Sequence, residues 1–145
     1  MLDTTIILMT AVLGVRDLLN TYQELYYSGR WFPGDDFMRN IVIAKEFSRT
    51  PFGRYTTDSP NSAERFRRDF LVPALKGEEK EVIVDFRGIA LGVGSSFLEE
   101  AFGGLIRKEG LPKANIKARL VIKSDVPFYK EQIEKFIDMA QPERA

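Results

Sequence analysis

EVIVDFRGIALGVGSSFLEEAFGGLIR, from Glu81 to Arg107, is the stretch that decides the fold. Glu81 to Phe86 is a short apolar run without alternation, the pattern of a strand buried on both faces. A glycine-punctuated loop, Arg87 to Gly94, comes next. A helix then opens at Ser95/Ser96 and runs to about Lys108, with Leu98, Ala101, Phe102, Leu105 and Ile106 on its inner side. Gly110 and Pro112 stop it. Strand, loop and helix in this order begin a β-α-β unit, and open sheets of such units place ligands at the carboxyl ends of strands. Gly103-Gly104 inside the helix costs about 1 kcal/mol each relative to Ala, which implies close packing there by the sheet or by a partner.

On the N-terminal side, IVIAKEF (Ile41 to Phe47) is β-rich, TPFG (Thr50 to Gly53) is a turn, and RYTT (Arg54 to Thr57) can return as a short strand. Asn61 with Glu64 three residues on reads as a helix start, and the helix buries Phe66, Phe70 and Leu71 until Pro73 kinks or ends it. On the C-terminal side, Ile116 to Ser124 alternates Ile116, Ala118, Leu120 and Ile122 as a strand does. Asp125 then caps a last helix with Ile133, Phe136 and Ile137 inward. The expected fold is α/β: a mixed, mainly parallel four-stranded sheet packed with helices through right-handed crossovers.

Ahead of this lies an apolar helix, expected from about Thr4 to Ser28. Its seam is Leu8, Val12, Val15, Leu19, Tyr22 and Tyr26. Gly29 stops it, and WFPGDD (Trp31 to Asp36) is a turn and a boundary. The expected organisation is an N-terminal helix and turn over 1–37 and a main domain over 38–145. The helix must cover something: its own domain, a second copy in a homodimer, or a partner.

At 145 residues, 44% apolar and 29% charged, the chain has room for one domain and an appendage. Lys+Arg equals Asp+Glu at 21 each, so no global charge points to nucleic acid or an anionic membrane. Charge is nonetheless uneven, with eight basic and four acidic residues between Arg39 and Lys76. There is no Cys and no His. Disulfides, thiol catalysis, cysteine zinc sites, Ser-His-Asp triads and imidazole bases are therefore excluded. No catalytic residue, metal ligand or cofactor is expected. The apolar stretch Ile6 to Val15 is shorter than the ~20 residues of a membrane-spanning helix, and no basic segment precedes it. A cytoplasmic protein without a membrane partner is expected.

The chemistry-bearing segment is the loop and helix start after Asp85-Phe86. Free N–H groups and the positive helix end favour an anion there. The anion could be a ligand's phosphate or one attached to Ser95 or Ser96, adding roughly −1.5 to −2 charges. A second reading is equally concrete: Ser96-Phe97-Leu98-Glu99 fits a capping box that only satisfies backbone donors. Gly92 and Gly94 then serve as turn residues, since neither a P-loop nor a full dinucleotide fingerprint is present. Arg54-Tyr55, followed by Asp58, Ser59 and Asn61, forms another cluster. Arg54 can hold a phosphate or carboxylate, or pair structurally with Asp58 or Asp85. Arg65, Arg67 and Arg68 read as a basic helix face, either solvated or meeting an acidic partner.

The strand, the D-F-R-G turn (Asp85 to Gly88), the serine pair and the helix resemble the signature of STAS domains, the anti-sigma-factor-antagonist class. Residues 39–140 are more closely similar to a STAS-like family of bacterial proteins of unknown function. The blocks that carry the likeness are EFSRTPFGRYTTDSPNSAERFRRDFLVPAL (Glu46 to Leu75) and GSSFLEEAFGGLIR (Gly94 to Arg107). The resemblance implies that Ser95 corresponds to the serine that a partner kinase phosphorylates in STAS antagonists. It further implies a non-catalytic regulatory module docking on a protein partner, an ATPase or kinase of the histidine-kinase fold. Docking would use the Ser95 loop and the helix from Phe97 to Arg107. Candidate contact residues are Arg54, Tyr55, Asp85, Gly92, Gly94, Phe97, Glu99 and Glu100, beside the switch candidates Ser95 and Ser96. The alternative is a nucleotide- or phosphate-ligand-binding domain, or an enzyme, using the same helix N-terminus, with acid-base work left to carboxylates. Nucleic-acid binding through the arginine face ranks last, because the net charge is zero.

Overall fold

Parallel strands that are buried on both faces need no alternation, and the central strand here has none. In the structure, a computed structural model, residues 38–143 and the single position Asn20 are described. The helix expected over 4–28 and the turn at 31–36 lie outside the described residues. Strand β1 (Met38–Val42), β2 (Glu81–Asp85) and β3 (Leu120–Lys123) form a three-stranded sheet in chain order. Every pairing is parallel, with Ile41 opposite Val84 and Val84 opposite Ile122. Val82, Ile83, Val84 and Asp85 of the central strand are all buried.

Among the described residues the sheet therefore has three strands, not four, and no antiparallel hairpin. Two local causes account for this. The run from Ile41 stops at Val42, and Ile43–Glu46 coils into a helical turn, α1, whose Glu46 carboxylate accepts from the Val42 amide. The expected return strand at Arg54–Thr57 is a loop instead, because the Asp58 carboxylate takes the amides of both Arg54 and Tyr55. Those donors are then unavailable to a ladder. Gly53, at φ +87°, makes the reversal, and a Cβ there would lie 2.8 Å from that of Asp58.

Helix α2 (63–76) follows. Its cap is Ser62, one residue later than expected: the Ser62 hydroxyl accepts from the Arg65 amide. Pro73 does not end this helix. A π-turn, Arg67–Leu71, precedes it, so the proline enters at the start of the renewed α segment Val72–Lys76, where its missing N–H costs little. Helix α3 (95–107) has the same build, with α segments Ser95–Leu98 and Gly104–Arg107 around the π-turn Glu99–Gly103. It ends as expected, with Gly110 at φ +67° and the Leu111 amide bonded back to Leu105 O.

The expected strand Ile116–Ser124 divides into two elements. Lys113–Arg119 is a helix, α4, and only Leu120–Lys123 is strand. Helix formers fill Lys113–Arg119, and one apolar contact, Ile116, is buried. The Arg119 guanidinium reaches four carbonyls at the exit of α2, those of Ala74, Leu75, Gly77 and Glu79. It thereby caps α2, and that task requires Arg119 to sit at the end of α4. The last helix, α5 (Pro127–Met139), starts after Val126 rather than at an Asp125 cap, and it buries Ile133 and Ile137. Ser124, not Asp125, serves the turn by accepting from the Val126 amide. Helix α3 lies between α2 and α5. Phe66, Phe97 and Phe102 are nearly inaccessible, and Phe47, Phe66 and Phe70 cluster at 5.2–5.8 Å. Among the described residues no helix is long and apolar enough to cross a membrane.

Candidate functional site

At the carboxyl end of β2 the chain turns away through a loop that is tied down on three sides. The Phe86 amide donates to Lys123 O, the Ala90 amide to Arg49 O, and the Val93 amide to the Tyr129 hydroxyl at 2.9 Å. The Tyr129 ring stands 5.4 Å from that of Phe86, and a Cβ on Gly92 would lie 3.3 Å from its oxygen. A residue 36 positions downstream thus fixes the approach to α3.

Helix α3 opens with Gly94 at the cap position. Ser95 and Ser96 occupy its first turn, both exposed. Neither hydroxyl has a hydrogen-bond partner among the described residues. The capping-box reading of Ser96 and Glu99 does not hold. Glu99 is turned instead toward two arginines: Arg107, through both carboxylate oxygens, and Arg54, through Oε2.

Arg54 therefore pairs with neither of its expected partners. Asp58 binds only its backbone amide, and Asp85 forms a two-point pair with Arg87 at 2.8 and 2.9 Å. Glu99 is the first link of a larger network. Glu100, 2% exposed, meets Arg67 Nη1 at 2.9 Å, Arg107 Nη2 at 3.0 Å and Arg54 Nη1 at 3.6 Å. Arg67 also reaches Glu109 at 3.2 Å. Three arginines and three glutamates thus join the loop before α2, α2 itself, α3 and the turn beyond it, and two of the carboxylates, Glu99 and Glu100, sit on the π-turn of α3. That turn is what lets Glu99 and Glu100, neighbours in sequence, both face arginines. The expected basic face breaks up accordingly. Arg67 is 4% exposed, and Arg65 lies 5.2 Å over the Phe47 ring and pairs with Asp69. Arg68, exposed, pairs with Asp69.

Arg54, Asp58, Gly92, Gly94, Ser96 and Phe97 line one open cleft of ≈ 440 Å³ with Pro51, Phe52 and Gly53. Of the residues singled out in the sequence, Arg54, Gly92, Gly94, Ser96 and Phe97 meet here. Phe97 does so from the core, at 1% exposure. Ser95, Tyr55 and Asp85 stay outside the lining, and Glu99 and Glu100 stand behind Arg54. Sequence reasoning missed Tyr129 and Arg107, and it set Arg67 on a surface face where the structure buries it. The helical period carried a signal for one of them: Arg67 falls in register with Ala63, Leu71 and Ala74, all buried.

Burial alone would raise the Glu99 carboxyl, but Arg107 and Arg54 outweigh it and hold it below the ordinary carboxylate value. Burial would lower Arg107, and Glu99 and Glu100 raise it instead. Asp85 is held down chiefly by Arg87. A carboxyl depressed in the folded state stabilises the fold when ionised. That contribution is complete above its unfolded value, about 4.3 for Glu, and is lost as pH falls through the lower folded value. Glu99→Gln is therefore expected to reduce stability at neutral pH and to flatten its decline in acid. Thermal unfolding from pH 7 to pH 3 reads both, and an acid limb as steep as wild type would assign it to other carboxylates.

Residues 62–127 match the model of a family described as a STAS-like domain of unknown function. This part of the chain is similar to that family. The match takes in the whole of GSSFLEEAFGGLIR and the later part of the block ending at Leu75. Within it lie β2, the pinned loop, α3 and β3, so the matched stretch supplies Ser96 and one wall of the cleft, while Arg54 comes from the segment ahead of it. No curated protein and no solved structure matches the chain.

Proposed function

We propose that the chain is a non-catalytic regulatory module of the bacterial cytoplasm, a STAS-like switch. It docks on a protein partner through the Ser95 loop and α3, and the partner is an ATPase or kinase of the histidine-kinase fold. One observation carries the reading: two exposed serine hydroxyls, free of any capping bond among the described residues, stand at the start of a helix whose entry loop Tyr129 holds rigid. A phosphoryl group there would add charge beside Arg54 without breaking a structural bond of the serines. The polar side chains behind them are consistent with a non-catalytic role, since Glu99 and Glu100 are both engaged by arginines.

Affinity capture from native lysate, read by mass spectrometry, tests this. It compares wild type with Ser95→Ala, Ser96→Ala, Ser95→Asp and Ser96→Asp, each verified as folded by circular dichroism. The expected result is an ATPase-fold partner kept by wild type and both Ala variants and lost by one or both Asp variants. Equal retention by all five proteins would overturn the switch.

A further inference from the structure

We infer that the cleft between the 51–58 loop and the start of α3 binds a phosphoryl dianion, with Arg54 as its main ligand. This goes beyond docking, because it needs no protein partner. The Arg54 guanidinium is committed along one edge only. Its Nη1 meets Glu99 and lies 3.6 Å from Glu100, whereas Nε and Nη2 have no partner among the described residues. The side chain is 37% exposed and lines the cleft. Glu99 thus pins the fork from behind and leaves its second edge presented, the arrangement that suits two-point binding of an oxyanion.

The neighbouring negative charges are already engaged. Glu99 and Glu100 also pair with Arg107, and Glu100 with Arg67. Asp58, the carboxylate in the lining, accepts from the amides of Arg54 and Tyr55. On the opposite wall, the Ser96 hydroxyl and amide have no partner among the described residues. Together with the free edge of Arg54 they suit the three terminal oxygens of a phosphate monoester. At ≈ 440 Å³ the cleft is larger than one phosphate group, and Pro51, Phe52 and Phe97 supply an apolar wall for the esterified group. The ligand class is a phosphate monoester with an apolar or planar substituent.

The test is a titration of the full chain with inorganic phosphate and, separately, with phenyl phosphate, at pH 7.5 and fixed ionic strength. Amide and arginine Nε–H signals are followed by NMR. Saturable shifts of Ser95, Ser96 and Arg54 are expected. Tighter binding of phenyl phosphate identifies an ester as the ligand, and equal binding identifies the free anion. Arg54→Gln is expected to weaken binding at least about tenfold. Arg54→Lys keeps the charge toward Glu99 but lacks the second edge, so it is expected to lose affinity while the core amides of β2 keep their wild-type shifts. The absence of a saturable shift with either probe, or wild-type affinity in both variants, would overturn the site.

Discussion

Replacing Arg67 by Met is expected to lower the free energy of unfolding by about 3–5 kcal/mol, the cost of removing one partner from a buried ion pair. Met keeps the length of the side chain and its apolar stem, so the change reports mainly on the guanidinium. That group donates to the Glu100 carboxylate and to its backbone carbonyl, and Nε reaches Glu109. All of this happens where Arg67 is 4% and Glu100 2% exposed. Without Arg67 the Glu100 carboxylate keeps Arg107 at 3.0 Å and Arg54 at 3.6 Å, which places the effect toward the lower end of the range. Urea unfolding measures it, with Arg68→Ala on the exposed side of the same helix as the control whose midpoint stays in place. A loss below about 1 kcal/mol would mean that Arg107 and Arg54 neutralise Glu100 by themselves.

What the sequence made legible follows the range of the interactions. Glu81–Asp85 was readable because burial on both faces removes alternation, and the end of α3 because Gly110 and Pro112 are local signals. Ser96 and Arg54 were both singled out, yet their meeting in one cleft was not legible. It depends on contacts such as Arg54–Glu99, 45 residues apart, and Val93–Tyr129, 36 apart. Neither pairing leaves a pattern in its own neighbourhood. Two errors came from a rule that fitted too well. Ile116, Ala118, Leu120 and Ile122 alternate, but the first two belong to a helix whose end is fixed by Arg119 capping another helix. Ser96 and Glu99 have capping-box spacing, but two arginines from distant segments compete for the glutamate and win. A charged pair offers Glu99 more than a neutral amide does, so tertiary context overrides the local motif.

Gly104→Ala provides the second large effect, and its sign decides between two opposed terms. In an ordinary helix interior, Gly to Ala gains about 1 kcal/mol. Here a Cβ at position 104 would lie 2.3 Å from Arg67 Nη1, 2.9 Å from Cζ and 3.1 Å from Cδ. The close packing at Gly104 comes from the buried Arg67 side chain crossing α3, not from the sheet. An arginine tip normally yields easily; this one is held by Glu100 and Glu109 and has no solvent to retreat into. Overpacking of this kind costs about 1–3 kcal/mol, and a net loss near 2 kcal/mol is expected. Gly103→Ala is the contrast, since its Cβ would meet Glu99 Oε1 at 3.1 Å and Arg107 Nη1 at 3.6 Å, partly exposed ends that can shift. It is expected to match or exceed wild-type stability. The double-mutant cycle makes the argument strict. On the Arg67→Met background the clash with the guanidinium is gone, so Gly104→Ala should turn from destabilising to neutral or stabilising. An equal cost on both backgrounds would show that some other neighbour, and not Arg67, requires glycine at this position.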